Sequence, residues 1–124
     1  MNTCRIPANE YLCCMNESSL NEIESKIRNS KSINAERKNE LLQLLATLKS
    51  EVEKLSRTHD EHAQSIAGFA ELSAHEATRA QQNPQLLQHS LDGLRSSVEG
   101  FEESHPQLVQ IVHNISNRLA NLGF

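Results

Sequence analysis

Histidine and carboxylate pairs at helical spacing are the residues of this 124-residue chain best suited to chemistry. The stretch Thr58–His62, "THDEH", sets His59 and His62 three apart, on one face if the chain is helical there. In a parallel dimer two such pairs would bring up to four imidazoles together, as a zinc site or a pH switch. Protonating imidazoles on an apolar seam puts like charges in a desolvated setting and loosens it. The competing reading is a turn near Thr58 with both histidines solvated. The polarity of the run favours it, as does the drift of heptad counting over long helices.

A second stretch, Gly100–Leu108 "GFEESHPQL", contains Glu102-x-x-His105 followed by Pro106. Ferritin-like bundles bind two metal ions with two Glu-x-x-His pairs and further glutamates. This chain has one such pair, set against a proline, so His105 is expected to cap or pack at a corner. Glu71 and His75 are four apart and could share a proton or bind a ligand; an exposed helix-surface pair is the plainer expectation. Cys4, Cys13 and Cys14 are odd in number and lack C-x-x-C spacing, so reduced thiols are expected.

Other chemistry is hard to build. There is no nucleophile elbow, and the four glycines are scattered, so no phosphate-cradling loop exists. Aromatics are 3% with no Trp, too few to line a mostly apolar pocket or to stack bases. Lys and Arg number 12 against 16 Asp and Glu, a formal charge of −4, and no basic face is visible. The expectation is a protein that is not an enzyme, with no catalytic residue, no cofactor and no nucleic-acid partner. For metal, the only candidates are His59 and His62. No apolar run approaches the roughly 20 residues needed to cross a bilayer. The N-terminus has no apolar h-region of a secretory signal, so a cytoplasmic address is expected.

The elements that must position these residues are helices. Residues 1–17 lack a helical period, contain Pro7, and are expected to be a disordered tail. Met15, directly ahead of a good helix opening, is a possible alternative start. Residues 18–124 are expected to form a single helical domain. A first helix is predicted from about Ser19 to Asn29, with Leu20, Ile23 and Ile27 on one face. A second opens at Asn34 as N-cap and carries the heptad-like seam Leu41, Leu45, Leu48, Val52 and Leu55. Leu42 and Leu44 widen its stripe, as for a helix touching two neighbours. The same count, continued, lands on His59, His62, Ile66 and Phe69. "ELSAHEATRAQQ" is predicted to fray into a loop before Asn83.

Asn83-Pro84 opens a third helix with the seam Leu87, Leu91, Leu94, Val98 and Phe101. A last helix carries Leu108, Val112, Ile115, Leu119 and Leu122, with Gly123 as its C′ residue. Between them Pro106 lacks an N–H and pushes His105 out of the α region, which argues for a break. The four-three count runs from Phe101 through His105 to Leu108 without a slip, which argues for a kinked continuous helix. The break is the expectation.

The segment "VEGFEESHPQLVQIVHNISNRLANLGF" resembles a bacterial family of short helical proteins classed only as a domain of unknown function. Its members typically carry Phe-Glu-x-x-His-Pro, a helix, then Leu-Ala-Asn-Met-Gly-Ile. The matching residues are Phe101, Glu102, His105, Pro106, Leu119, Ala120, Asn121 and Gly123, with Leu122 for Met and Phe124 for Ile. The resemblance is specific over 98–124 and rests on helical pattern alone over 18–57. It implies a small soluble helical protein and assigns no activity.

The fold expected is therefore all-α, a small helical bundle of coiled-coil-like hairpins. Three Leu-rich seams on so short a chain suggest self-association, because burying a Leu is worth roughly 1.5–3 kcal/mol. The expected partner is a second copy or another helical protein. The function expected is a non-catalytic interaction or self-assembly module. The alternative is a metal- or pH-responsive bundle using the seam histidines.

Overall fold

The computed structural model describes residues 8–31 and 33–123, with side chains from 19 to 31 and from 33 to 122. The chain forms five helices: α1 Ala8–Asn29, α2 Ala35–Ser56, α3 Asp60–Thr78, α4 Pro84–Ser96 and α5 Pro106–Gly123. No strand occurs among the described residues. α3 packs on all four other helices, while α2 and α5 pair with each other, α1 lies on α2, and α4 lies on α5.

The helix starts follow local chemistry. Asn34 is extended, and its side-chain oxygen accepts from Arg37 N–H at 2.8 Å. Glu36 in the first turn and Lys54 in the last suit the helix dipole. Asn83 caps α4 in the same way, accepting from the N–H groups of Gln85 and Leu86, with Pro84 in the first turn. Pro106 opens α5, so the chain turns at the His-Pro pair, as its missing N–H requires. Phe124 and residues 1–7 lie outside the described residues.

Several boundaries differ from expectation. α1 begins at Ala8, well ahead of Ser19, so the tail read as disordered over 1–17 is helical from Ala8 onward. No proline or glycine interrupts Ala8–Asn29, which lets a helix run back that far without an apolar period. The side chains of Cys4, Cys13, Cys14 and Met15 lie outside the described ones. α3 persists to Thr78 where a fraying end was predicted, because Ala70, Ala74 and Ala77 are buried. Small side chains pack closely against neighbours, so a lack of large apolar groups does not expose that turn.

α4 stops at Ser96, short of Val98 and Phe101. Ser97 donates its hydroxyl to Leu94 O at 2.6 Å, offering the backbone an alternative to helix. Gly100 then takes a left-handed conformation, φ +96°. At the end of α5, Gly123 is the last helical residue rather than a residue beyond it.

The three predicted seams meet inside one chain. Leu41, Leu45, Leu48, Val52, Leu55, Leu87, Leu91, Leu94, Val98, Leu108, Val112, Ile115 and Leu119 are buried together, and Leu122 is half-buried against them. Leu20, Ile23, Ile27 and Ile33 join this core from one side, and Ile66 with the alanines of α3 joins it from another. The seams are therefore satisfied within the chain and are not free for a second copy packing side by side.

Candidate functional site

The histidines singled out by spacing come together in space. α2 does not continue through "THDEH"; the N–H groups of Thr58 and His59 both bond back to Leu55 O, at 3.1 and 2.8 Å, and close a turn. His59 sits at the N-terminus of α3 without capping it, φ −138° and ψ 68°. Asp60 and Glu61 supply the first-turn negative charge instead. His59, His62 and Phe69 are exposed, and only Ile66 of the extended count is buried. The turn near Thr58 with solvated histidines is thus what the chain adopts.

The turn at 57–59 faces the corner between α4 and α5. Phe101 is buried there, 8% exposed, and three imidazoles meet its ring edge-on. Ring centroids lie 5.4 Å away for His59, 5.3 Å for His62 and 5.6 Å for His105, all close to perpendicular. His59 also lies 5.9 Å from His62 and 6.3 Å from His105. Perpendicular contact matches the ring quadrupoles, positive edge against negative face. The His59 Nδ1 shares a 2.8 Å hydrogen bond with the Thr58 hydroxyl, and the His105 Nδ1 a 2.9 Å bond with Ser104.

Each residue of the Phe-Glu-x-x-His-Pro motif has a mechanical part in this corner. The Glu102 carboxylate accepts from Gly100 N–H at 2.9 Å and steadies the left-handed turn. His105 donates its N–H to Phe101 O at 2.8 Å and accepts from Val109 N–H at 3.2 Å, so its backbone bridges corner and helix. Phe101 fills the space on which the imidazoles converge. Among the described residues, no three His, Cys, Asp or Glu side chains are placed to hold a metal ion. Asn121, from the end of the motif, is exposed late in α5.

The other candidate pair, Glu71 and His75, lines an open surface groove with Lys26, Gly68 and Leu72. Among the described residues, three large apolar side chains stand out on the surface, Phe69 and Leu72 on α3 and Leu86 on α4. Phe69 lies over Gly93 of α4, where an added Cβ would collide with its ring. Spacing did not single out Leu72 or Leu86; their absence from every four-three seam was the available signal.

A further arrangement was invisible to spacing. Lys49 of α2 donates to Glu24 Oε1 at 2.9 Å and to Asn21 Oδ1 at 2.8 Å, both on α1. Lys38 donates to Arg28 O at 3.0 Å, a carbonyl at the α1 C-terminus. The Lys49 hydrogen bond, helped by Arg28, holds the Glu24 carboxyl below its usual range. These bonds run α1 and α2 antiparallel. Arg118 likewise joins α5 to Glu40 of α2, at 2.7 Å.

No helix among the described residues is long and apolar enough to cross a membrane. No curated protein and no solved structure matches the chain. The family described as Domain of unknown function (DUF4404) matches residues 41–124, which run from within α2 through α5 and leave α1 outside. With that match over more than half of its length, the protein belongs to this family.

Proposed function

We propose that this protein is a non-catalytic helical interaction module, acting through self-assembly or through another helical protein. The observation that carries the reading is the pair of exposed apolar side chains Phe69 and Leu72, three apart on α3, with Phe69 lying over Gly93 of α4. Neighbouring apolar side chains left on one face of a helix are what a partner helix would cover. The residues with chemical potential support the same reading, because Glu102 and His105 have structural duties in the corner. The test is a crosslinked capture of the tagged full-length protein beside its Phe69→Asp, Leu72→Asp double variant. The expected result is a protein, or the chain itself, retained in fixed ratio by the wild type and lost by the variant. Equal retention by both would overturn the use of this surface.

A second reading, a pH-responsive bundle, is favoured by one observation: His105 joins His59 and His62 around a single ring. Protonating imidazoles about 6 Å apart brings like charges together. Comparing the pH dependence of unfolding for wild type and a His59→Gln, His62→Gln variant tests it. Identical profiles would end it.

A further inference from the structure

α3 touches all four other helices, yet one strip of it faces outward between α1 and α4. Ser65, Gly68, Leu72 and His75 are exposed along that strip, three, four and three residues apart. On one side Lys26 of α1 joins Gly68, Glu71, Leu72 and His75 around an open groove of about 300 Å³. On the other side Phe69 leans over Gly93 of α4.

Gly68 lies in the middle of α3, and nothing within the chain calls for glycine there. Gly93 makes room for the Phe69 ring, and Gly100 takes a left-handed φ. Gly68 has no such φ, and an added Cβ would meet nothing within 4 Å. Glycine inside a helix weakens it relative to alanine. What it offers in return is close approach by a group from outside. The charges of the groove say which kind of group. Lys26 on the α1 wall and Glu71 on α3 are both half-buried, and neither forms an ion pair among the described residues. A uniformly acidic or basic partner would satisfy one of them and oppose the other. A surface carrying both signs complements its own two-fold image.

We infer that this groove docks a second copy of the chain, α3 against α3 in antiparallel orientation, about a two-fold axis passing between Glu71 and Leu72. The inference rests on the proposed interaction role and names the partner. Gly68 and His75 lie equally far from that axis, three residues before Glu71 and three after Leu72. The notch at Gly68 of each copy therefore receives His75 of the other. Lys26 of each meets Glu71 of the other, and the two Leu72 side chains, each 45% exposed in the single chain, cover one another. The buried Leu and Val seams stay intact throughout.

The test is sedimentation equilibrium of the full-length chain across a concentration series, with helicity measured for every variant. The wild type should form dimers as concentration rises. Lys26→Glu alone and Glu71→Lys alone should each raise the dimer Kd about tenfold or more, because each sets like charges opposite one another twice per dimer. Mixing the two variants, one of them isotopically heavier, should restore dimers of mixed mass in native mass spectrometry, since both contacts then pair opposite charges. Gly68→Leu should unfold no more easily than the wild type, having open space around it, yet lose the dimer. Dimers untouched by all three substitutions would place association on another face and overturn the groove. Loss in the single variants without recovery in the mixture would overturn the two-fold pairing. A wild type that stays monomeric at every concentration overturns the second copy as partner. It leaves the interaction role itself to the capture experiment, where retention of a different protein through Phe69 and Leu72 would still uphold that role.

Discussion

The Phe101 corner and the α1 dock are both joints between helices, and they are held in opposite ways. At the corner a buried phenyl ring is gripped by three imidazoles and by backbone bonds within a few residues of it. At the dock an aliphatic row packs against apolar side chains of α2, α3 and α5, and side chains far apart in sequence close the rim. The corner carries residues that look reactive, yet each has a structural duty. The dock carries plain amphipathic sequence, yet it fixes α1 by apolar pattern, charge and direction together. In a bundle of this kind, residue type is a poor guide to where recognition happens. The arrangement of faces is the better one.

The largest effect should come from breaking the corner. Phe101→Ala removes a ring with 8% exposure and leaves the imidazoles without a packing surface. Truncating a buried Phe costs about 3–5 kcal/mol. Urea unfolding of the variant should show that loss, with the whole domain less stable rather than one end frayed. A change under about 1 kcal/mol would mean that the ring is not the keystone described and that the motif residues are there for another reason.

A smaller effect isolates the backbone at the same corner. Gly100 has φ +96°, and a Cβ there would meet nothing within 4 Å. Gly100→Ala therefore tests conformation without steric contact. The left-handed region costs a non-glycine residue roughly 1–2 kcal/mol. A loss of that size by thermal unfolding supports the tight turn. No loss would show that the corner relaxes to an ordinary conformation.

These two regions also differ in how far they could be read from sequence. The proline, the glycine and the four-three count of Leu and Val located the helices of the core, because local sterics and periodic burial act over a few residues. Asn34 and Asn83 marked their caps for the same reason. The break at Thr58 was the favoured reading, since polar residues on an apolar count are easier to solvate than to bury. Convergence of His59, His62 and His105 on Phe101 was not legible, because it depends on how the α2–α3 turn meets the α4–α5 corner. The reach of α1 back to Ala8 was missed because that stretch has no apolar period. Lys49 with Glu24 was missed because the two are 25 residues apart on different helices. The alanines of α3 were read as a fraying end, although small side chains are what let one helix touch four.

The smallest expected effect sharpens the other side of the comparison. Lys49→Met keeps the aliphatic stem of residue 49 and removes the charge that holds Glu24 and Asn21. The Glu24 and Lys49 side chains are each about a third exposed, so the pair is worth only about 0.2–1 kcal/mol. Global unfolding should barely register it. The sensitive measurement is hydrogen exchange of the α1 amides as a function of pH. The Glu24 carboxyl is held below its usual range, first by Lys49 and then by Arg28, so its contribution is present above the unfolded value and lost as pH falls through the folded one. Protection of α1, corrected for intrinsic exchange, should decline through that acidic window in the wild type. In Lys49→Met it should start lower and decline less, because Arg28, four residues along, still pairs with Glu24 at 2.8 Å within α1. A variant whose α1 protection follows the wild-type curve would show that the aliphatic row alone seats the helix. Packing of Leu20, Ile23 and Ile27 would then hold α1 in place without help from the charge at Lys49.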